Sequence, residues 1–226
     1  MTSRPAAVAF DVIDTLMTLE PLRGRLTGIG QPPHLLEAWY ARTIRDGMAL
    51  SVAGDYAEFH DVAATTLRDL TAGQVSDEQV AYVLAGMAEL PPFPDAVPAA
   101  ERLAAGGVRL ACLTNGAPKP TAAFVERAGL APFIERVISV SEVRRWKPAA
   151  IVYRYAAEVL GVPPERLALV AAHHWDCHGA KRAGLTAAWV SREKRDYPHL
   201  FAEPDVTGAD LVAAAGALLN LGNSPG

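Results

Sequence analysis

The chain has 226 residues, half of them hydrophobic, and carries 21 basic and 25 acidic side chains for a formal net charge of −4. Because it has no basic run and no long apolar stretch, it is expected to bind neither nucleic acid nor a membrane. The two cysteines show no metal-ligand spacing and no signal peptide precedes the first apolar run, so we expect a soluble cytoplasmic protein.

The first predicted element is a buried parallel strand formed by the apolar run from Ala6 to Phe10. Asp11 follows this strand directly, and Thr15 comes four residues later. Ligands of open α/β sheets bind at the carboxyl ends of the strands, so Asp11 is a candidate nucleophile. An ordinary Asp-rich turn is the alternative interpretation of the same residues.

Residues 18–90 show helical spacing of apolar side chains without strand signals, and the proline-rich segment 91–94 ends this pattern. Beyond it strands and helices alternate, which predicts right-handed crossovers and a parallel sheet. We therefore expect an α/β protein with a Rossmann-like core formed by 1–17 and 91–226, and a helical cap domain, 18–90, inserted after the first strand. The predicted strands after the cap are 108–113, 137–140, 167–171 and 186–190, and the predicted helices are 96–105, 121–128, 149–160 and 177–183.

Three further polar motifs follow the predicted strands of the core. Thr114 and Asn115, just after one strand, could hold an anionic oxygen or simply cap a helix. Lys147, followed by a proline, lies at a strand-to-helix junction, where a lysine is usually a solvated surface residue. The loop 171–175 leads from another strand to Asp176.

In this order the four motifs resemble those of the haloacid dehalogenase (HAD) superfamily, and the resemblance covers nearly the whole chain. It implies a HAD fold, with the helical insertion as its cap. It also implies that Asp11 is the nucleophile, Thr114 an anion-binding hydroxyl, Lys147 the cation beside the reacting carboxylate and Asp176 the acid of the fourth motif. The superfamily includes phosphatases, phosphonate hydrolases and dehalogenases, so the fold alone does not select the reaction.

Two departures separate the phosphatase and dehalogenase hypotheses. Ile13 stands where superfamily phosphatases carry the acid that protonates the leaving alcohol, and Ala171 and Ala172 cover the region that usually supplies a magnesium-binding acid. Asp11 and Asp176 could still bind Mg²⁺, which prefers oxygen ligands. A magnesium-dependent small-molecule phosphatase therefore remains the alternative.

Other features resemble type II (S)-2-haloacid dehalogenases: Trp175-Asp176 before Gly-Ala, and Lys147-Pro148 before Tyr153. This resemblance implies a hydrolase that needs no metal or other cofactor and acts on a small carboxylate. Asp11 would displace the halide, Lys147 held by Asp176 would orient the carboxylate, and water would hydrolyse the resulting ester. Halide leaves as an anion and needs no acid. A non-catalytic relative that acts as a binding protein is the remaining alternative, and a homodimer formed through the cap is expected from the resemblance.

The remaining candidate site residues have less definite roles. His173 replaces the usual Asn of that family, and it could activate water, bind the departing halide or serve only as a structural imidazole. The family's cap arginine normally follows a tryptophan directly, whereas Trp39 is followed by Tyr40. Arg42 or Arg45 could substitute, or form a surface ion pair. Thr15 is counted with the catalytic residues. The residues expected to contact substrate are Trp39, Arg42, Thr114, Asn115, Tyr153, His173 and Trp175.

Overall fold

The core of the protein is a six-stranded parallel sheet, seen in a computed structural model that describes residues 3–192 and 196–222. The strand order is β3-β2-β1-β4-β5-β6. The strands are β1 (Ala7–Phe10), β2 (Arg109–Thr114), β3 (Ile134–Ser139), β4 (Leu167–Ala171), β5 (Thr186–Val190) and β6 (Val206–Gly208).

Strand β1 lies in the middle of the sheet, between β2 and β4. The chain first adds strands on one side of β1 and then on the other, so the strand order reverses there. Phe10, its last residue, is level with Cys112 on β2 and Val170 on β4. The crevice at such a reversal is where open α/β sheets bind ligands.

Nine α-helices flank or cap the sheet in the part of the chain that the structure describes. Four of them form the helical insertion after β1: α1 (Leu22–Gly28), α2 (Leu35–Ala53), α3 (Phe59–Leu70) and α4 (Asp77–Ala85). The other five are α5 (Ala96–Ala105), α6 (Pro118–Arg127), α7 (Ala150–Val159), α8 (His174–Ala183) and α9 (Leu211–Asn220). None of the described helices is both long enough and apolar enough to cross a bilayer.

The strands β1, β4 and β5 are buried on both faces, which explains why they are continuously apolar. Val8 and Phe10 of β1 point into one apolar cluster, which also contains side chains of α5, α6 and α9. Ala7 and Ala9 point into a second cluster with side chains of α7 and α8. The predicted α/β fold with a Rossmann-like parallel core is confirmed.

Trp146 joins the helical insertion to the core. Its indole is fully buried, stacks on Phe59 with ring centroids 5.8 Å apart and donates its N–H to the Ala57 carbonyl at 3.0 Å. Its backbone N–H donates to the Ser51 hydroxyl at 2.7 Å. The insertion therefore contacts the residue that directly precedes Lys147.

The structure corrects several predicted boundaries and adds elements. Helix α8 begins three residues earlier than predicted, so Asp176 lies in its first turn. Helix α6 begins at Pro118, because proline suits the first turn of a helix. The predicted core segment includes residues 1–2, 193–195 and 223–226, which lie outside the described residues. The sequence analysis missed α1, the three-residue β6 and the Ala- and Leu-rich α9.

Candidate active site

Asp11 lies at the carboxyl end of β1, and both of its carboxylate oxygens have partners. Its Oδ1 accepts a hydrogen bond from Nζ of Lys147 at 2.7 Å. Its Oδ2 accepts one from the Thr15 hydroxyl at 2.7 Å and lies 3.2 Å from Nδ1 of His173. Burial alone would raise the pKa of Asp11, but the Lys147 charge and the His173 hydrogen bond outweigh it and hold this pKa well below its ordinary value.

Lys147 is fully buried between two carboxylates. Its ammonium lies 2.7 Å from Asp11 and 2.7 Å from Asp176. Burial alone would lower the pKa of Lys147, but the two carboxylates reverse the effect and raise it. Its backbone N–H donates to the side-chain oxygen of Asn115 at 3.1 Å. A buried charge with such partners is a fixed cation at the predicted nucleophile.

Asp176 is held from the side opposite Lys147 by Tyr153, whose hydroxyl donates to Oδ1 of Asp176 at 2.5 Å. Burial raises the pKa of Asp176, and the Lys147 charge counteracts this only in part. Burial also raises the pKa of Tyr153, which stays a neutral donor. Tyr153 was predicted to contact substrate; it is fully buried behind Asp176 and acts on that carboxylate instead.

The hydroxyl groups of Thr15 and Thr114 are engaged within the protein. Thr15 donates to Asp11 and accepts the backbone N–H of Ala172 at 3.0 Å. Thr114 is fully buried and its hydroxyl accepts the backbone N–H of Gly116 at 2.9 Å. Both residues therefore shape the loops around the predicted nucleophile. The side-chain oxygen of Asn115 accepts from Lys147, and its NH₂ group can donate to a ligand.

His173 directly precedes α8, and its ring lies between those of Tyr40 and Trp175, with centroid separations of 5.7 and 5.2 Å. Its second nitrogen, Nε2, lies 3.9 Å from a carboxylate oxygen of Asp14. Burial alone would lower the pKa of His173, but the hydrogen bond and charge of Asp11 raise it. The ring thus lies beside the predicted nucleophile with acidic groups at both nitrogens.

Asp14 reaches His173 because the chain turns sharply after Val12. Its φ of 61° is in the left-handed region, which Asp tolerates better than most residues other than glycine. A cavity of about 510 Å³ opens beside this pair; its lining includes Asp14, Ala172, His173 and Arg192. Regular strand alternation would have pointed the Asp14 side chain away, so the turn decides its position.

The structure does not bring Trp39 or Arg42 to this site. Trp39 is buried inside the cap and donates its indole N–H to the Ala63 carbonyl at 2.8 Å. Arg42 forms an ion pair with Asp69 at 2.8 Å. The side chain of α2 that reaches the site is Tyr40, whose hydroxyl donates to the Ile13 carbonyl at 3.4 Å.

Arg42 lies on the opposite side of α2 from Tyr40, since two residues correspond to a rotation of about 200°. The spacing of apolar residues in the sequence could not show whether Trp39 or Tyr40 faces the site, because both lie next to apolar residues. The rotation of α2 on the core decides which ring faces the site. Tyr40, like Asp14, is therefore a site residue that was not among the residues selected from the sequence.

The side chain of Ile13 is buried where a proton donor would be needed for an alcohol leaving group. It lines an apolar cavity of about 160 Å³ together with Phe59 and Met87 from the cap and Gly116 from the core. No proton can come from this side chain. The arrangement suits a leaving group that departs as an anion.

The residues present do not fit a magnesium ion. All four oxygens of Asp11 and Asp176 face donors or the His173 ring, and the Lys147 ammonium lies between the two carboxylates, where a second cation would be repelled. Within residues 3–192 and 196–222 no three His, Cys, Asp or Glu side chains are grouped as metal ligands. Mg²⁺ binding would require this ion-pair network to open first.

Comparison with known proteins places this geometry in a family. The family model described as a haloacid dehalogenase-like hydrolase matches residues 5–184. An (S)-2-haloacid dehalogenase of Xanthobacter autotrophicus is 32% identical over 192 residues, which make up 82% of this chain and 75% of that protein. The haloacetate dehalogenase H-2 of Moraxella sp. (strain B) is 29% identical over 209 residues, 89% of this chain and 92% of that protein.

A solved structure is similar over nearly the whole chain. The L-2-haloacid dehalogenase RSc1362 has a TM-score of 0.87 to this protein at 28% identity, covering 96% of this chain and 99% of the other. The chain combines this sheet order with a helical insertion after β1 and the Asp11–Lys147–Asp176 network. It belongs to the haloacid dehalogenase-like hydrolases.

Proposed function

We propose that this protein is a 2-haloacid dehalogenase that replaces the halogen of a small 2-halocarboxylate by a hydroxyl group. The observation that carries the proposal is the buried Lys147 ammonium between Asp11 and Asp176, next to an apolar Ile13. The ammonium keeps the Asp11 carboxylate ionised, and the Ile13 side chain has no proton to give to a leaving group. The activities of the relatives at 29% and 32% identity support the same reaction.

In the first step, a carboxylate oxygen of Asp11 attacks the carbon that bears the halogen. The C–O bond forms as the C–halogen bond breaks, and the bonding pair leaves with the halide. Asp11 becomes a neutral ester, so the positive charge of Lys147 is no longer balanced by it. That charge, fixed by Asp176 and Tyr153, stabilises the negative charge that leaves.

In the second step, water attacks the ester carbonyl carbon of Asp11, and we propose His173 as its base. The charge of the Asp11 carboxylate raises the pKa of His173 in the free enzyme. Ester formation removes that charge and lets the imidazole release its proton. The neutral ring then accepts a proton from the attacking water, and Asp14 near Nε2 stabilises the imidazolium. The acyl C–O bond breaks, the imidazolium protonates the departing alkoxide oxygen, and the 2-hydroxy acid leaves with its alkyl C–O bond intact. The carboxylic acid of Asp11 then passes its proton to the neutral His173, which restores the starting carboxylate and imidazolium.

The remaining roles follow from what each side chain still offers. The NH₂ group of Asn115 is the proposed donor to the substrate carboxylate, and the rings of Tyr40 and Trp175 would flank the reacting carbon. Thr15 and Thr114 position Asp11 and the loop after β2.

We also propose that 18–90 acts as the cap domain over a core of 1–17 and 91–226. A homodimer and a cytoplasmic location remain predictions.

Halide release from a panel of 2-haloacids, haloacetates included, tests the proposal when it is measured with a chelator present. We expect release by the wild type and none by Asp11→Asn. A single turnover in H₂¹⁸O should place the label in the Asp11 carboxylate, because water attacks the ester carbonyl. Phosphate release from esters that depends on added magnesium, without halide release, would instead establish the phosphatase.

A further inference from the structure

Arg192, just after β5, contacts both of the segments that connect the core to the helical insertion. One guanidinium nitrogen, Nη2, donates to the Thr15 carbonyl at 2.6 Å. The other, Nη1, lies 3.2 Å from the Asp95 carboxylate. The guanidinium also lies over the ring of Phe93, 3.6 Å from its centroid. One side chain therefore holds the outgoing segment and the returning segment together.

These two segments also pair with each other directly. The backbone N–H of Phe93 donates to the Leu16 carbonyl at 2.8 Å, and that of Thr18 donates to the Pro91 carbonyl at 3.1 Å. Asp95 is fixed in turn, because its carboxylate accepts the backbone N–H of Leu211 at the start of α9 at 2.8 Å. Arg192 thus ties the paired segments to a carboxylate that is bonded to the start of α9.

Arg192 is linked to the predicted nucleophile, Asp11, through Thr15. The Thr15 carbonyl is held by Arg192, while the Thr15 hydroxyl donates to Asp11 and accepts from Ala172. Thr15 is therefore fixed at both its backbone and its side chain. A shift of its backbone would move the hydroxyl group that orients Oδ2 of Asp11.

We propose that Arg192 is a positioning residue that sets the placement of the cap on the core and, through Thr15, the orientation of the Asp11 carboxylate. This inference rests on the proposed dehalogenation for its kinetic consequence, but the contacts themselves can be tested without activity. In this proposal Arg192 acts through Thr15 rather than on the substrate. Its planar fork is suited to the task because it reaches a carboxylate and a carbonyl at once and stacks on a ring, which a lysine cannot do.

Arg109 provides a matched control. It also binds a carboxylate, that of Glu135, and a backbone carbonyl, that of Leu160 at 2.8 Å, but at the first residue of β2, away from the nucleophile. We expect Arg192→Gln and Arg109→Gln both to lower the melting temperature. Only Arg192→Gln should lower kcat, by about tenfold or more, because small displacements of reacting groups are costly.

Hydrogen exchange supplies the readout that does not require activity. In Arg192→Gln the amide protons of Thr18 and Phe93 should exchange faster than in the wild type, whereas Arg109→Gln should leave them protected. Equal kcat values in the two variants, or unchanged exchange in Arg192→Gln, would overturn the proposal. If the wild type releases no halide but exchange changes as expected, the proposed function fails while the positioning contacts stand.

Chemical rescue separates lost positioning from general damage. Arg192→Ala leaves a space bordered by the Asp95 carboxylate, the Phe93 ring and the Thr15 carbonyl, where a free guanidinium ion would fit. We expect guanidinium chloride, below denaturing concentrations, to restore part of kcat to Arg192→Ala but not to Arg109→Ala, relative to sodium chloride. An equal response of both variants would contradict a specific role.

Discussion

Nδ1 of His173 lies 3.2 Å from Oδ2 of Asp11, so the imidazole and the Thr15 hydroxyl share one oxygen of the predicted nucleophile. The charge state of each group therefore depends on that of the other. An imidazolium favours the carboxylate, and a carboxylate favours the imidazolium. Converting Asp11 to an ester removes the carboxylate that favours the imidazolium. Ester formation in the first proposed step therefore prepares His173 to act as the base in the second.

His173→Asn should slow hydrolysis of the ester more than its formation. Asn keeps a hydrogen-bond donor near Asp11 but cannot accept a proton from water, so we expect kcat to fall about 100-fold, within the usual range for a lost general base. Rapid quenching and mass spectrometry should then find Asp11 largely alkylated. His178→Asn is the control, since His178 lies on α8 and accepts the Ala202 backbone N–H instead. An unmodified Asp11 in a slow His173→Asn variant would contradict the role as base.

The pKa of His173 should fall when the charge of Asp11 is removed. In the wild type it is raised above the ordinary 6.5, chiefly by Asp11. Its contribution to stability should be complete below about pH 6.5 and should be lost as the pH rises through the raised pKa. NMR titration of the His173 ring in wild type and Asp11→Asn measures the shift directly. Identical titration curves would show that the two groups are not coupled.

Replacing Lys147 by Met should destabilise the protein strongly, because two buried carboxylates then lose the ammonium that lies 2.7 Å from each of them. Breaking a buried ion pair costs about 3–5 kcal/mol, which urea unfolding can measure. Lys181→Met is the control, since Lys181 pairs with the single carboxylate of Asp205 and is partly exposed. If the two variants unfold at the same urea concentration, the Lys147 network is not the strong contact inferred here.

Gly179 of α8 should not tolerate a side chain. A Cβ there would lie 2.5 Å from the Tyr153 hydroxyl and 2.5 Å from Cβ of Pro148. We expect Gly179→Ala to displace Tyr153 from Asp176 and to lower kcat and the melting temperature together.

Gly24 of α1 is the matched helical glycine, because nothing lies within 4 Å of its hypothetical Cβ. Gly24→Ala should leave kcat unchanged and stabilise the helix by up to about 1 kcal/mol. A Gly179→Ala variant that behaves like Gly24→Ala would mean that α7 and α8 can separate without harming the site.

Tyr40, rather than Arg42, should be the cap residue on which turnover depends. Tyr40→Ala removes the ring beside His173 and the bond to the Ile13 carbonyl, so we expect a marked rise in KM or fall in kcat. Arg42→Ala removes a partly exposed ion pair with Asp69, which should cost less than about 1 kcal/mol and leave kinetics unchanged. Loss of activity in Arg42→Ala would restore the cap-arginine hypothesis.

Much of the fold followed from local patterns. Continuous apolar runs identified β1, β4 and β5, because a strand buried on both faces has no polar face. The spacing of apolar residues identified the helical insertion, because a helix buried on one face repeats its apolar residues every three or four positions. Elements without such contrast were missed: α9 has little polar surface to mark a face, and β6 is only three residues long. Helix α8 begins before its apolar pattern does, so its start was placed too late.

The sequence by itself determined the types of groups and the strand ends at which they lie. Asp11, the Thr114-Asn115 pair, Lys147 and Asp176 follow elements of a parallel sheet, and parallel strands bring their carboxyl ends to one edge. The isoleucine at position 13 is likewise a property of the sequence alone. Together with the resemblance to the haloacid dehalogenase superfamily, these features predicted the chemistry.

Only the tertiary structure decided which side chains meet. The left-handed turn at Asp14 brings its carboxylate to His173, and the rotation of α2 turns Tyr40 rather than Arg42 toward the site. Arg192 binds Thr15 and Asp95, which lie 177 and 97 residues away from it in the chain. Such contacts depend on how rigid elements pack against one another, and that packing is set by the whole core rather than by local residue order.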